Sequence, residues 1–126
     1  VIDVISSFHT PQDEESKRLP FETAAAGAVG LETLLPASLQ LFHNQSVSLG
    51  KLIKTMTLNP AILLGLQSGR ITPGAPADLI IFDADIPFIL DRESLKSKSK
   101  NTPFDGHKLQ GKVRRTIVAG KTIFEC

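Results

Sequence analysis

The sequence contains a single cysteine, a single methionine, and neither tryptophan nor tyrosine. Because the lone Cys126 excludes an internal disulfide framework and a multi-cysteine zinc site, we expect a reducing, cytoplasmic setting. A charge excess is also missing, since 14 basic residues nearly balance 13 acidic ones. No charged field therefore predicts a nucleic-acid or membrane partner, and no apolar run approaches the roughly 20 residues that span a bilayer.

The sequence does contain enough apolar residues for a packed core, with 41% hydrophobic and 21% charged residues. Residues 1–5 form a β-branched run, typical of a strand buried on both faces of a parallel sheet. Since a domain rarely begins inside its own core, we expect the chain to be the C-terminal portion of a longer protein. Residues 6–20 are polar and turn-rich, which predicts a long loop.

Helical periodicity follows in the middle of the chain. An apolar stripe over residues 31–42 predicts one helix, which Pro36 should kink or restart. Residues 49–56 predict a second helix, with Ser48 as its N-cap.

A third helix should follow at once. Asn59 is its predicted N-cap, Pro60 its first helical residue and Gly65 its C-cap.

The last part of the sequence is typical of β-structure. Residues 78–83 predict a strand, and residues 87–90 are a candidate for another. Residues 112–119 and 122–125 flank Gly120, which predicts a tight hairpin.

The order of strand, loop, helices and small β-unit indicates a fragment of an alternating α/β architecture. A complete (β/α)8 barrel needs about 250 residues, so 126 residues cannot supply one. We therefore expect a C-terminal barrel fragment over residues 1–68 and a flanking sheet over residues 69–126.

The residues alone give no complete catalytic set and no metal site. His9 follows the first predicted strand and could be a ligand or proton carrier, but a structural loop histidine is the favoured interpretation. His43 and His107 have no second ligand at suitable spacing, so we place both on the surface. The charge run at residues 13–18 is interpreted as a solvated loop rather than a lid over a charged substrate.

Two further motifs are weak signals. The glycines of residues 27–30 lack the spacing of a phosphate-binding loop and favour close backbone packing or a backbone contact to a small ligand. The basic residues of 96–100 lack interleaved aromatics, which argues against nucleic-acid binding.

Several longer motifs occur in one order along the chain: Lys-Arg-Leu-Pro-Phe at 17–21, Gly-Ala-Val-Gly-Leu-Glu-Thr at 27–33, Thr-Leu-Asn-Pro-Ala at 57–61, Gly-Ala-Pro-Ala-Asp-Leu at 74–79, Ser-Lys-Ser-Lys-Asn-Thr-Pro-Phe at 97–104, and Thr-Ile-Val-Ala-Gly-Lys at 116–121. With them the whole chain resembles the C-terminal third of the dihydroorotases, which are cyclic amidohydrolases of the metal-dependent barrel superfamily.

This resemblance implies a (β/α)8 barrel whose last strand is residues 2–5 and whose late helices lie within residues 31–66. Residues 71–125 would join a small β-sandwich that a missing N-terminal segment completes. In such enzymes zinc activates water for the interconversion of dihydroorotate and N-carbamoyl-L-aspartate. The metal ligands come from earlier strands, so we expect no cofactor to bind this chain alone.

The sequence departs from the family at the catalytic position. Phe8 stands where the family has an aspartate that binds metal and accepts a proton, so the chain has no catalytic residue of its own. His9 would then act indirectly, through neighbouring groups. The resemblance assigns substrate contacts to Gln12, where the family often has a histidine, and to the backbone at Ala26 and Gly27.

Three interpretations remain open. The first is a piece of a dihydroorotase-like hydrolase that is inactive by itself and needs the missing part of the barrel, or self-association, for stability. The second is a non-catalytic dihydroorotase-like subunit that scaffolds an aspartate carbamoyltransferase, which the loss of the base at Phe8 favours. The third is a self-standing β-rich module with helices, which no specific feature of the sequence supports. Binding of dihydroorotate or of the carbamoyltransferase would separate the first two.

Overall fold

A computed structural model describes residues 2–126, and all of its α-helices precede its strands. The elements are α1 (Glu14–Arg18), α2 (Leu34–His43), α3 (Leu49–Met56), α4 (Leu58–Leu63), β1 (Leu79–Ile89), a 3-10 turn (Arg92–Ser94), β2 (Lys108–Val118) and β3 (Lys121–Glu125). No helix among the described residues is both long and apolar enough to cross a bilayer.

The first two predicted helices are confirmed. Ser48 occupies the N-cap position of α3 with an extended backbone, but its side chain makes no capping hydrogen bond. The stripe over residues 31–42 corresponds to α2, which begins at Leu34. Pro36 lies in the first turn of α2, where its missing N–H would have no helical partner in any case, so it leaves the helix intact.

The third predicted helix is present, but three predicted positions are wrong: Asn59 is not its N-cap, Pro60 is not its first residue, and the C-cap is Leu64 rather than Gly65. Helix α4 already begins at Leu58, because Thr57 closes α3 and also accepts the first helical bond of α4, from the N–H of Ala61 at 3.2 Å. Asn59 lies inside the helix, and its side-chain amide donates to the carbonyl of Asp3 at 2.7 Å. Gly65 follows the last cap residue with a φ of +68°, a common way for a helix to end.

The predicted strand at residues 1–5 is absent from the structure as far as it is described. Residues 2–8 belong to no strand, and Ile2 is 68% exposed. A buried strand needs hydrogen-bonding strands on both sides, whereas the backbone N–H of Ile5 donates a hydrogen bond to the carbonyl of Thr55 in α3 at 3.0 Å. The only bridge nearby in residues 2–126 is a parallel one between His9 and Ala28. Position 1 lies outside the described residues.

The strands form one antiparallel sheet in the order β1-β2-β3. The two strands predicted at residues 78–83 and 87–90 are a single strand, β1, interrupted by a bulge between Asp83 and Pro87. Pro87 cannot donate a backbone hydrogen bond to the sheet, which explains why the sequence pattern predicts two strands here rather than one.

The predicted hairpin is confirmed between β2 and β3. Ala119 and Gly120 form its turn with φ values of +48° and +78°. Both values suit the two-residue turns that match the twist of antiparallel strands.

Two packed regions connect the helices to the sheet. The buried residues Val29, Leu90, Leu95 and Leu109 form one cluster, which joins the segment before α2 to the sheet and the loop beside it. In the second region Leu39 of α2 is fully buried over Gly111 of β2. This glycine has a φ of +105°, and a Cβ on it would collide with the Leu39 side chain.

Replacing Gly111 with alanine should therefore lower the free energy of unfolding by about 2 kcal/mol, from backbone strain and overpacking together. Urea unfolding at a fixed protein concentration measures this change. Gly106→Ala is the matched control, since Gly106 also has a positive φ, +73°, but open space around its Cβ position. Equal losses in the two variants would contradict the packing argument.

Candidate functional site

Residues 25–30, here called the Gly27 segment, are held by three other parts of the chain. The amide of Ala25 donates to the carbonyl of Ser16 in α1 at 3.0 Å. The carbonyl of Ala28 accepts from the amide of Thr10 at 2.9 Å, and the amide of Val29 donates to the backbone oxygen of Asn101 at 3.0 Å. The loop after residue 5, helix α1 and the loop before β2 thus meet on one short segment.

Gly27 has two reasons to be glycine. Its φ of +122° lies in a region that side-chain-bearing residues rarely adopt, and a Cβ there would lie 2.5 Å from the carbonyl oxygen of Thr10. The close backbone packing predicted for residues 27–30 is therefore present, and the same holds at Gly30, whose Cβ would lie 2.6 Å from the carbonyl oxygen of Ser7.

Helix α1 lies within the stretch predicted as one long loop, so that prediction is wrong over residues 14–18. Asp13 caps the helix by accepting from the amide of Ser16 at 2.8 Å, and this hydrogen bond lowers the pKa of Asp13. Arg18 pairs with Glu14 at 3.1 Å and with Glu15 at 2.8 Å on the exposed side. The sequence signals were a capping residue and charge pairs at helical spacing.

Lys17 of α1 points toward the Gly27 segment. Its ammonium group donates to the carbonyl of Ala25 at 2.7 Å and to that of Gly27 at 3.1 Å. The charge run is therefore more than a solvated surface, because its lysine, Lys17, fixes the backbone of the segment.

His9, which precedes the Gly27 segment in the chain, also contacts this segment. Its Nδ1 accepts from the amide of Gly30 at 3.1 Å and lies 3.4 Å from the amide nitrogen of Leu31. An Nδ1 that accepts carries no proton, so the neutral ring has its proton on Nε2. The imidazole thus links the loop after residue 5 to the Gly27 segment.

Phe8 has an unusual backbone and an exposed ring. Its φ is +43°, a conformation that aspartate and asparagine tolerate better than bulky residues, and 83% of the residue is exposed. Phe8 lines an open groove together with Ser7, Gly27, Gly30 and Phe104. The structure therefore places Phe8 and Gly27, two positions singled out from the sequence, on one surface.

Gln12 lines a neighbouring groove with Ser97 to Lys100, and Ala26 is exposed. Sequence reasoning predicts no role for Ser99 or Asn101, yet both contact the backbone of Gln12. The one signal for them in the sequence is the long motif at 97–104, which contains both residues.

The described residues do not fit a zinc ion. Residues 2–126 bring together no group of three histidine, cysteine or acidic side chains that could hold a metal. His9 uses Nδ1 as an acceptor, and Nε2 of the half-buried His43 lies 3.0 Å from the carbonyl oxygen of Ala84. The surface prediction for His107 agrees with its exposure, whereas His43 is only partly exposed.

Comparison with known proteins identifies the class. The chain belongs to the amidohydrolase family, whose profile matches residues 14–123. It is 48% identical over 125 residues to the dihydroorotase of Ehrlichia chaffeensis, a match that covers 99% of this chain and 28% of that protein. The chain therefore spans between a quarter and a third of the length of the curated relatives that it matches.

Solved structures of a dihydropyrimidinase and of a hydantoinase share the fold. The dihydropyrimidinase from Brevibacillus agri matches with a TM-score of 0.90 at 22% identity, over 98% of this chain and 28% of that one. The L-hydantoinase from Arthrobacter aurescens matches with a TM-score of 0.76 at 38% identity, over 82% of this chain and 24% of that one. The helices and small antiparallel sheet are thus a fragment of a larger fold.

Proposed function

We propose that the chain is one piece of a dihydroorotase-like hydrolase and supplies part of its substrate-binding surface. The observation that carries the proposal is the Gly27 segment, which three other parts of the chain hold in place beside Phe8. The backbone at Ala26 and Gly27 and the side-chain amide of Gln12 would contact the substrate. The substrate pair is dihydroorotate and N-carbamoyl-L-aspartate, as for the dihydroorotases that the chain resembles.

The chain alone should not hydrolyse dihydroorotate. A phenylalanine at position 8 offers no proton acceptor, and the described residues offer no metal-holding group. The zinc chemistry of the complete enzyme would come from residues outside this chain, within a (β/α)8 barrel. The sheet β1-β2-β3 would belong to a β-sandwich that another segment completes.

A hybrid protein tests the proposal. In it this chain, with Phe8 retained, replaces the matching part of the Ehrlichia chaffeensis dihydroorotase, and equilibrium dialysis and an assay measure binding and hydrolysis of dihydroorotate. We expect binding without hydrolysis. A hybrid that folds but binds no dihydroorotate would contradict the proposal.

The exposed apolar surface supports the need for a companion polypeptide. Five aliphatic side chains in and after α4 are each more than half exposed: Ile62, Leu63, Leu64, Leu66 and Ile71. Large exposed apolar surfaces typically mark interfaces, so we expect these five side chains to lie in one.

We expect the isolated chain to self-associate, and Leu63→Glu to weaken this association about tenfold by placing a charge in the contact. Sedimentation velocity across a concentration series measures it. Leu19→Glu is the control, since Leu19 is also half exposed but lies outside this surface. A wild-type chain that stays monomeric throughout the series would contradict the prediction.

A second candidate function rests on Phe8 alone. A dihydroorotase-like chain without its base could serve as a non-catalytic subunit that scaffolds an aspartate carbamoyltransferase. Co-purification with such an enzyme, together with no binding of dihydroorotate by the hybrid, would favour this candidate over the first.

A further inference from the structure

We propose that Asn101 is a positioning residue that fixes the Gly27 segment and Gln12 relative to each other. This inference rests on the proposed function for its substrate, and it adds a residue that lies outside the barrel fragment. Asn101 belongs to the loop between the 3-10 turn and β2. Phe104 of the same loop lines the groove at Phe8, whereas Asn101 acts on the candidate site through its hydrogen bonds.

The side chain of Asn101 uses both halves of its amide. Its Oδ1 accepts from the backbone N–H of Gln12 at 3.3 Å, and its Nδ2 donates to the carbonyl of Gly27 at 3.2 Å. Its backbone oxygen accepts from the amide of Val29 at 3.0 Å. One residue therefore bonds to the loop carrying Gln12 and, twice, to the Gly27 segment.

Ser99 completes the hold on Gln12. Its hydroxyl lies within hydrogen-bonding distance of the carbonyl oxygen of Gln12 and 2.5 Å from Oδ1 of Asn101. When the single hydroxyl proton of Ser99 is donated to this carbonyl rather than to Asn101, the backbone of Gln12 is held at both its N–H and its carbonyl. A fixed backbone leaves the side-chain amide of Gln12 as the part that can reach a ligand.

The chemistry requires an asparagine at this position. The contacts need one acceptor and one donor on the same short side chain, and the amide supplies both. An aspartate keeps the acceptor toward Gln12 but puts a negative charge against the carbonyl of Gly27. Lys17 also donates to that carbonyl, so the variant would weaken the hold on Gly27 without removing it.

The same hybrid, carrying Phe8, tests the inference by equilibrium binding of dihydroorotate. Asn101→Asp should weaken binding about tenfold. The variant loses a partly buried hydrogen bond and gains a charge repulsion, and together these effects correspond to about a tenfold change in the dissociation constant. Asn59→Asp is the matched control, because Asn59 also donates its side-chain amide to a backbone carbonyl, that of Asp3. We expect unchanged binding in this control.

Hydrogen exchange with residue-level fragmentation provides a readout that needs no ligand. The Gln12 amide should stay protected in Asn101→Asp, which keeps an acceptor, and lose protection in Asn101→Ala, which has none. The Val29 amide should stay protected in both, because its partner is the backbone oxygen of residue 101. This pattern separates the loss of one bond from unfolding of the loop.

The outcomes distinguish the two proposals. If the parent hybrid binds dihydroorotate and Asn101→Asp binds equally well, or no worse than Asn59→Asp, the inference is overturned while the proposed function stands. If the parent binds nothing, the proposed function fails, and the exchange pattern decides the inference. Equal protection of Gln12 in Asn101→Asp and Asn101→Ala would then overturn it as well.

Discussion

Replacing Phe8 with aspartate in the hybrid protein is expected to raise the rate of dihydroorotate hydrolysis by about 10³-fold. The resemblance to the dihydroorotases implies a proton-accepting carboxylate at this position, and Phe8 shares its groove with Gly27. The backbone is already suited to the change, since a φ of +43° strains phenylalanine more than aspartate. Steady-state hydrolysis, followed alongside thermal unfolding, measures both effects.

Phe8→Asn is the matched control. It relieves the same backbone strain and has the same shape as aspartate, but it offers no carboxylate. We expect it to gain stability like Phe8→Asp and to gain no activity. Hydrolysis by the hybrid with Phe8 itself, or a Phe8→Asp hybrid that binds dihydroorotate without hydrolysing it, would contradict the assignment of this position.

Gly27→Ala is expected to have the largest effect on binding and stability. The new Cβ would lie 2.5 Å from the carbonyl oxygen of Thr10, at a φ of +122° that alanine rarely adopts. Strain and overpacking together should cost about 3 kcal/mol of the free energy of unfolding. Displacement of the segment should also weaken dihydroorotate binding by the hybrid more than tenfold, which equilibrium dialysis measures.

Gly74→Ala separates strain from collision. Gly74 also has a positive φ, +81°, but no atom lies within 4 Å of its Cβ position. This control should lose only the stability due to strain and should bind dihydroorotate normally. Normal binding by Gly27→Ala would show that the Gly27 segment does not contact the substrate.

Local sequence signals predicted the elements that depend on local chemistry. Helix α3 begins directly after Ser48, as predicted, although the Ser48 side chain makes no capping hydrogen bond, so the apolar stripe is the signal that defines the helix. The hairpin at Gly120 follows from a turn that needs a positive φ. Both signals act over a few residues, so a single sequence contains all the information they require.

The failures occurred where distant residues decide the structure. Residues 2–5 carry strand-forming side chains, but a buried strand also needs partners on both sides, and the described residues provide none. Helix α1 was missed because its five residues are polar and give no apolar stripe, although Asp13 caps it. Its role through Lys17 depends on contacts with Ala25 and Gly27 that periodicity cannot show.

The candidate site shows the same division. Gly27 and Phe8 could be singled out from the resemblance, and the structure brings them to one groove. Asn101 could not be identified from the sequence, because its partners Gln12 and Gly27 lie 89 and 74 residues away in the chain. Only the folded chain shows that the motif at 97–104 lies against the Gly27 segment.

The most direct test of the account is a dihydroorotate titration of three samples: this chain, the rest of the Ehrlichia chaffeensis dihydroorotase as a separate polypeptide, and their mixture. We predict that the ligand binds to the mixture and to neither part alone, and that the mixture with Phe8 does not hydrolyse it. Binding or hydrolysis by this chain alone, or a stable complex of the two parts that fails to bind dihydroorotate, would contradict it.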